Sequence, residues 1–267
     1  MLLDFSRLGW WRFVLGSFAL VTAVFLLLPI LLIVALSFGS SQWLQFPPPD
    51  WTLRWYGELF ADPDWLASIV TSFEIAVVTT VVAVTLGLLA SFGLTRGRFA
   101  GREFLRALFL TPMVLPVVVL AVALYAMFLR LHLNGTFLGF VLAHVIVALP
   151  FTIVAIGNAL EAFDKAIEDA AILCGATPLE AKLRITLPAI RFGIFNAAIF
   201  AFLASWDEVV IAIFMASPDL QTLPVRIFST LRQDLSPVIA AVSTLLIGLT
   251  AAFVLVVVLF RNKAKPQ

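Results

Sequence analysis

Residues 168–188, EDAAILCGATPLEAKLRITLP, form a charged, turn-punctuated stretch between long apolar runs. Asp164 can cap a short helix in which Ile167, Ala170, Ala171 and Cys174 recur at helical spacing. This predicts one apolar face, with Lys165, Glu168 and Asp169 on the other. Gly175 supplies a stop, because a residue without a Cβ enters the left-handed region freely. The chain restarts at once. Thr177 is a cap, Pro178 takes the first helical position, and Glu180 completes a capping box with Thr177. The product is an elbow of two short helices with small residues on one face, stiff enough to be pushed and smooth enough to be approached closely. On these residues alone, an ordinary amphipathic loop at the membrane surface is the alternative.

The flanks of the elbow set the fold. A helix that crosses a bilayer needs about 20 largely apolar residues, and six such runs lie at roughly 13–38, 66–94, 107–129, 137–160, 192–215 and 238–260. Backbone groups in lipid must bond within their own segment, so runs of this length and continuity are predicted as helices. The expected fold is all-α and polytopic. It has six transmembrane helices, a cytoplasmic helical segment at about 160–190 between the fourth and fifth, and one domain over residues 1–267. With 62% hydrophobic and 12% charged residues, six runs would leave a water-soluble domain almost no polar face. The first run is too long for the apolar core of a secretory leader and reads as a mature helix.

Lys and Arg counts give the orientation. With both ends inside, the cytoplasmic segments hold Arg7, Arg12, Arg96, Arg98, Arg102, Arg106, Lys165, Lys182, Arg184, Arg191, Arg261, Lys263 and Lys265. The outer segments hold Arg54, Arg130, Arg226 and Arg232. This places the elbow and both termini in the cytoplasm, with Arg96 and Arg98 near anionic lipid. The net charge of +1 gives no reason to expect nucleic acid.

Several local signals refine the picture. Three prolines at 47–49 exclude regular helix in the first outer segment, where a short surface-lying helix is expected near 53–60. Trp43, Trp51, Trp55, Tyr56 and Trp65 read as interfacial anchors. Pro112 and Pro116 should bend or open the third run, and Pro150 should break the fourth in the same way. Asn134-Gly135, and Asp219 beside Pro218, mark turns, while Ser236-Pro237 marks a helix start.

Catalytic sets are missing from the sequence. Cys174 is the single cysteine, which excludes a disulfide framework, and His132 and His144 have no ligand-like companions. There is no GxxxxGK[ST] phosphate loop, so the chain is expected to hydrolyse no ATP itself. Glu74 and the adjacent Asp207 and Glu208 are different, because they lie within apolar runs. An ionisable group at membrane depth is costly unless it meets a cavity or a partner, which makes each a functional candidate. Trp206 beside the pair could add a cation–π attraction of roughly 0.5–2 kcal/mol for an ammonium group.

Asp169-Ala170-Ala171, three residues, Gly175, nine residues, then Ile185-Thr186-Leu187-Pro188 resembles the signature loop of binding-protein-dependent ABC importer permeases. That loop reads Glu/Asp-Ala-Ala, x3, Gly, x9, Ile-x-Leu-Pro. Here Asp169 stands where the family more often has Glu, with Glu168 just before it. The resemblance covers nearly the whole chain and is nearest to the second permease of spermidine/putrescine importers, which residues 205–237 also resemble. It implies a permease subunit in the bacterial cytoplasmic (inner) membrane, paired with a second permease subunit and two ATPase subunits. An extracytoplasmic solute-binding protein would deliver a polyamine. ATP and Mg would belong to the ATPase, with no cofactor bound here. Carried over to this chain, the coupling residues are Glu168, Asp169, Ala170, Ala171, Gly175, Ile185, Leu187 and Pro188. Related permeases also serve opines and other small amino-containing solutes. A scaffold subunit or a transporter of another class is the remaining alternative.

Overall fold

The structure, a computed structural model, describes residues 10–233 and 236–263, with side chains to Ala251. Arg7, Lys265 and the rest of the tail beyond Lys263 lie outside the described residues. The helices are α1 (Trp11–Ser37), α2 (Arg54–Ala61), α3 (Pro63–Arg96), α4 (Arg102–Val114), α5 (Val117–Arg130), α6 (Phe137–Ala162), α7 (Lys165–Leu173) and α8 (Pro178–Ala181). A π-helix (Lys182–Thr186) comes next, then α9 (Leu187–Ala189), α10 (Arg191–Trp206), α11 (Val210–Met215), α12 (Leu223–Gln233) and α13 (Pro237–Lys263). Among the described residues, α1, α3 and α6 are each long and apolar enough to cross a membrane. Two sharply bent pairs bring the number to as many as five. The chain is an all-α, polytopic membrane protein.

Two expected spans are divided, and one expected break does not occur. The third run opens at Pro116 as expected, and so sharply that it is two helices, α4 and α5, set at 105° to each other. Pro116 has no N–H to donate and disfavours helical geometry at the residue before it, so Leu115 is extended at φ −69°, ψ 141° and the helix ends there. The fifth run is also divided. α10 stops at Trp206 and α11 starts at Val210, which puts Asp207 and Glu208 at a break and not within a helix. The fourth run shows the reverse: α6 continues through Pro150 without a break. One lost N–H is outweighed there by a helix face that is buried nearly along its length. The short outer helix appears as α2, and the turns at Asn134-Gly135 and Ser217–Leu220 form as expected. α13 covers the sixth run, beginning at Pro237 with Ser236 Oγ accepting from the Val238 N–H.

The chain divides into two compact units, Met1–Pro63 with Ser229–Gln267, and Asp64–Phe228. In the first, α13 packs on α1 and α2. Trp55 is no interfacial anchor here. It is buried and its Nε1–H donates to Gly39 O at 2.6 Å. Tyr56 shares a 2.8 Å hydroxyl bond with Ser37, while Trp43 and Trp51 stay exposed.

In the second unit, α6 is the central element, contacted by α4, α10 and α11. Small residues set its spacing to neighbours. Ala83, Ala148 and Ala201 meet in one layer from α3, α6 and α10. A Cβ at Gly87 would overlap Thr152, and one at Gly193 would overlap Ala159. Methyl-sized side chains let helix backbones approach closely, which drives association where lipid is as apolar as the helices. Hydrogen bonds reinforce the α3–α6 seam, from Thr152 Oγ1 to Ala83 O and from Ser91 Oγ to Ile153 O, each at 3.1 Å. Arg96 closes the end of α6 by donating to Leu160 O and Phe163 O at 2.8 Å. Trp65 is buried as well, with the Arg226 guanidinium 5.6 Å from its ring, so it too is a packing residue and not an anchor.

Candidate functional site

The elbow folds as its cap residues dictate. Asp164 accepts from the Ala166 N–H at 2.9 Å to start α7, and Gly175 ends it at φ +98°, a region that disfavours every residue with a Cβ. The Thr177 hydroxyl accepts from the Glu180 N–H at 3.2 Å, and the Glu180 carboxylate accepts from the Thr177 N–H at 2.9 Å. The Thr177 N–H and the Thr177 hydroxyl, both donating to that carboxylate at 2.9 Å, hold the Glu180 carboxyl below the usual glutamate range.

The faces of α7 differ from the periodic expectation. Glu168, expected on the polar side, is buried, and its Oε2 accepts from the Thr186 hydroxyl at 2.9 Å. Ile167, Ala170 and Cys174 are exposed, while Ala171 is half-buried. Pattern alone places apolar residues inward, but α7 is short and its inner side meets the polar Thr186. Leu173, Leu179 and Leu183 are also exposed, Leu173 by 89%. Asp169 faces outward and pairs with Lys165 at 3.7 Å. Ile185 and Leu187 are half-buried, and Leu187 packs with Ile156, Leu160, Ile190 and Ala197 at the root of α10. Pro188 is exposed.

The other candidate residues gather at the far end of α10. This helix has 16 residues, about 24 Å at 1.5 Å per residue. Asp207 caps its end with an exposed side chain. Glu208 Oε1 accepts from the Ile211 N–H at 2.9 Å and so caps α11. Trp206 stacks on Phe202 with centroids 5.7 Å apart, and Phe202 meets Phe73 edge-on at 6.2 Å. Glu74 is exposed on α3, beside Phe73. The rings thus join the stretch of α3 that carries Glu74 to the end of α10 that carries Asp207.

Spacing and composition do not single out Phe73, Phe202, Ser205 or Thr186. The four-residue interval between Phe202 and Trp206 is the one signal for the ring stack. Thr186 carries none, because it ends a π-helix whose wider turn shifts the periodic phase.

Known proteins share this sequence pattern and this architecture. Residues 83–265 match the binding-protein-dependent transport system inner membrane component family. The chain is 36% identical over 245 residues to the putrescine transport system permease protein PotI of Escherichia coli K12, covering 89% of this chain and 86% of that one. It is 29% identical over 259 residues to the spermidine/putrescine transport system permease protein PotC of the same organism, covering 95% and 96%. The sulfoquinovosyl glycerol transport system permease protein SmoH of Agrobacterium fabrum is 27% identical over 253 residues, covering 92% and 88%. A chain from the crystal structure of a bacterial ABC transporter involved in the import of the acidic polysaccharide alginate superposes with a TM-score of 0.73 at 14% identity. The match covers 96% of both chains and shows a shared fold.

Proposed function

The chain belongs to the family of binding-protein-dependent transport system inner membrane components, the permeases of ABC importers, and we propose that its solute is a polyamine of the putrescine and spermidine class. Members are non-catalytic, multi-pass subunits of the bacterial inner membrane. They work with a second permease, ATPase subunits and an extracytoplasmic binding protein.

In this reading all 267 residues form one permease domain of six membrane crossings with both termini in the cytoplasm. Residues 160–190 dock against the ATPase through the exposed Ile167, Ala170, Leu173 and Leu179. A cluster of exposed apolar side chains on an otherwise charged segment is the usual mark of a protein contact. Closure of the ATPase dimer then moves the elbow, and the elbow moves α10. Nucleotide and loaded binding protein favour a conformation only by their differential affinity for it, so both must prefer the same one.

The observation that carries the reading is the pair of features at the two ends of α10. The elbow lies at its start, and Trp206 and Asp207 at its finish. Asp207 and Glu74 attract ammonium groups, and the rings of Trp206, Phe202 and Phe73 receive the methylene chain and add a cation–π contribution. The likeness to a permease named for putrescine at 36% identity supports the same solute. The relative named for sulfoquinovosyl glycerol supports a second reading, a different small polar or amino-containing solute such as an opine on the same machinery.

Reconstitution with the second permease, the ATPase and the binding protein in proteoliposomes tests both, with labelled putrescine and spermidine as probes. ATP-dependent uptake of either is the expected result. A complex whose ATPase is stimulated by its binding protein but which moves neither amine would reject the polyamine reading and favour the second.

A further inference from the structure

We infer that Glu168 and Thr186 form a buried clasp that fixes the angle between the two arms of the elbow, making Glu168 a positioning residue for coupling and not a contact to the ATPase. The inference rests on the coupling role proposed for residues 160–190. Glu168 is 5% exposed and Thr186 fully buried, and the hydroxyl donates to the carboxyl across 18 residues of chain at 2.9 Å. Asp169, the next residue, does the opposite. Its side chain is 55% exposed and its pairing with Lys165 is of the surface kind that contributes little.

Without the clasp, α7 would be joined to the second arm mainly through the turn at Cys174–Thr177. Bonds there run from the Gly175 N–H to Ile172 O and from the Ala176 N–H to Ala171 O, and they close the turn upon α7 itself. These bonds cap the end of α7 and make no link of their own to the second arm beyond the backbone. Thr186 lies at the other end of the second arm, immediately before Leu187, which packs into the root of α10. The bond therefore ties α7 directly to the base of the long helix and bypasses the turn. The π-helix at 182–186 contributes to this. Its wider turn rotates Thr186 relative to an α-helical register and brings the hydroxyl to the inner side of the elbow, and such bulges concentrate at functional positions.

Cys174 provides the test, because it is the chain's only cysteine and is exposed at the end of α7. The full-length chain, assembled with its partner subunits in nanodiscs, is spin-labelled there. Glu168→Ala and Thr186→Val are compared with Glu168→Gln and Thr186→Ser, which keep an acceptor and a donor. The second readout is the factor by which the cognate binding protein stimulates ATP hydrolysis, a ratio that needs no assumption about the solute. Expected results are a mobilised label and a stimulation factor reduced about fivefold in the first two variants, the ratio set by a bond of roughly 1 kcal/mol. The conservative pair should stay near wild type.

An unmoved label in Glu168→Ala overturns the clasp. A mobilised label with unchanged stimulation overturns the positioning role and leaves a purely structural bond. Cross-linking from Cys174 to the ATPase in the wild-type complex checks the coupling reading separately. If no cross-link forms, the positioning role falls with that reading, whatever the label shows.

Discussion

His144 Nδ1 on α6 and the Ser205 hydroxyl on α10 lie 2.8 Å apart, with both residues buried. The bond sits one residue before Trp206, so it holds α10 where its helical path ends. One turn along, Ala148 and Ala201 meet Ala83, and the bond is therefore a polar layer stacked on an apolar one. His144 Nε2 has no hydrogen-bond partner among the described residues. Ser205→Ala strands Nδ1 as well, and leaving a buried polar atom unsatisfied costs about 1–3 kcal/mol. His144→Leu combined with Ser205→Ala should cost less than the sum of the two single changes. Equilibrium unfolding in mixed micelles, monitored by tryptophan fluorescence, measures this. Additive costs would show that the bond contributes nothing.

Gly193→Ala should weaken the α6–α10 seam, since the new methyl meets that of Ala159. Overpacking of this kind costs about 1–3 kcal/mol. Ala159→Gly in the same chain should restore most of the stability by returning the space. The same unfolding experiment checks it, and no rescue by the second substitution would mean that the helices already separate freely.

Asp207 and Glu208 should differ in effect although they are neighbours. Asp207 is exposed at the end of α10, while Glu208 spends its carboxylate on the Ile211 N–H. Asp207→Asn is expected to raise the KM for spermidine uptake about fivefold or more, the ratio of roughly 1 kcal/mol of lost attraction. Glu208→Gln keeps an acceptor for the cap and should change KM less. Equal effects in purified complexes would place both carboxylates on the path.

The elbow should respond to acid through Glu180. The Thr177 bonds favour its ionised form and hold its folded pKa below that of the unfolded chain, so its contribution is fully present above the ordinary glutamate value of about 4.3. It is lost as pH falls through the lower folded value. The protection factors of the Thr177, Glu180 and Ala181 amides, which take out the steep pH dependence of intrinsic exchange, should therefore hold from neutral pH down and fall only in strong acid. Glu180→Ala should lower this protection at neutral pH and converge on the wild type in strong acid, whereas Glu180→Gln, which can still cap, should behave at low pH as at neutral.

The sequence showed some of this more readily than the rest, for physical reasons. Caps are local, so Asp164, Gly175, Thr177 and Glu180 could be read from spacing and all adopt the geometry expected of them. The apolar runs were visible because lipid imposes composition on every residue. Their breaks are only partly legible: the bend at Pro116 follows from its missing N–H, but Pro150 carries the same signal where neighbouring helices keep α6 straight, and no proline marks the break at Asp207-Glu208. Glu168 was misplaced for a related reason. A nine-residue helix carries only about two and a half turns of pattern, and the partner of the buried carboxyl stands 18 residues away. The Phe73–Phe202 contact joins α3 to α10 and arises from tertiary packing alone.

The stripe of Gly193, Ala197, Ala201 and Ser205 along α10 has a bearing on how such a subunit can diversify. These four positions meet α6 or α3 closely and admit little added volume, so the line along which α10 lies against its neighbours is fixed from its first turn to its last. In the proposed reading, one end of this stripe adjoins the ATPase-facing elbow and the other adjoins the solute-facing rings. On that reading, exchanging the outward side chains of the last turn would alter the solute while leaving the elbow, and its fit to the ATPase, untouched.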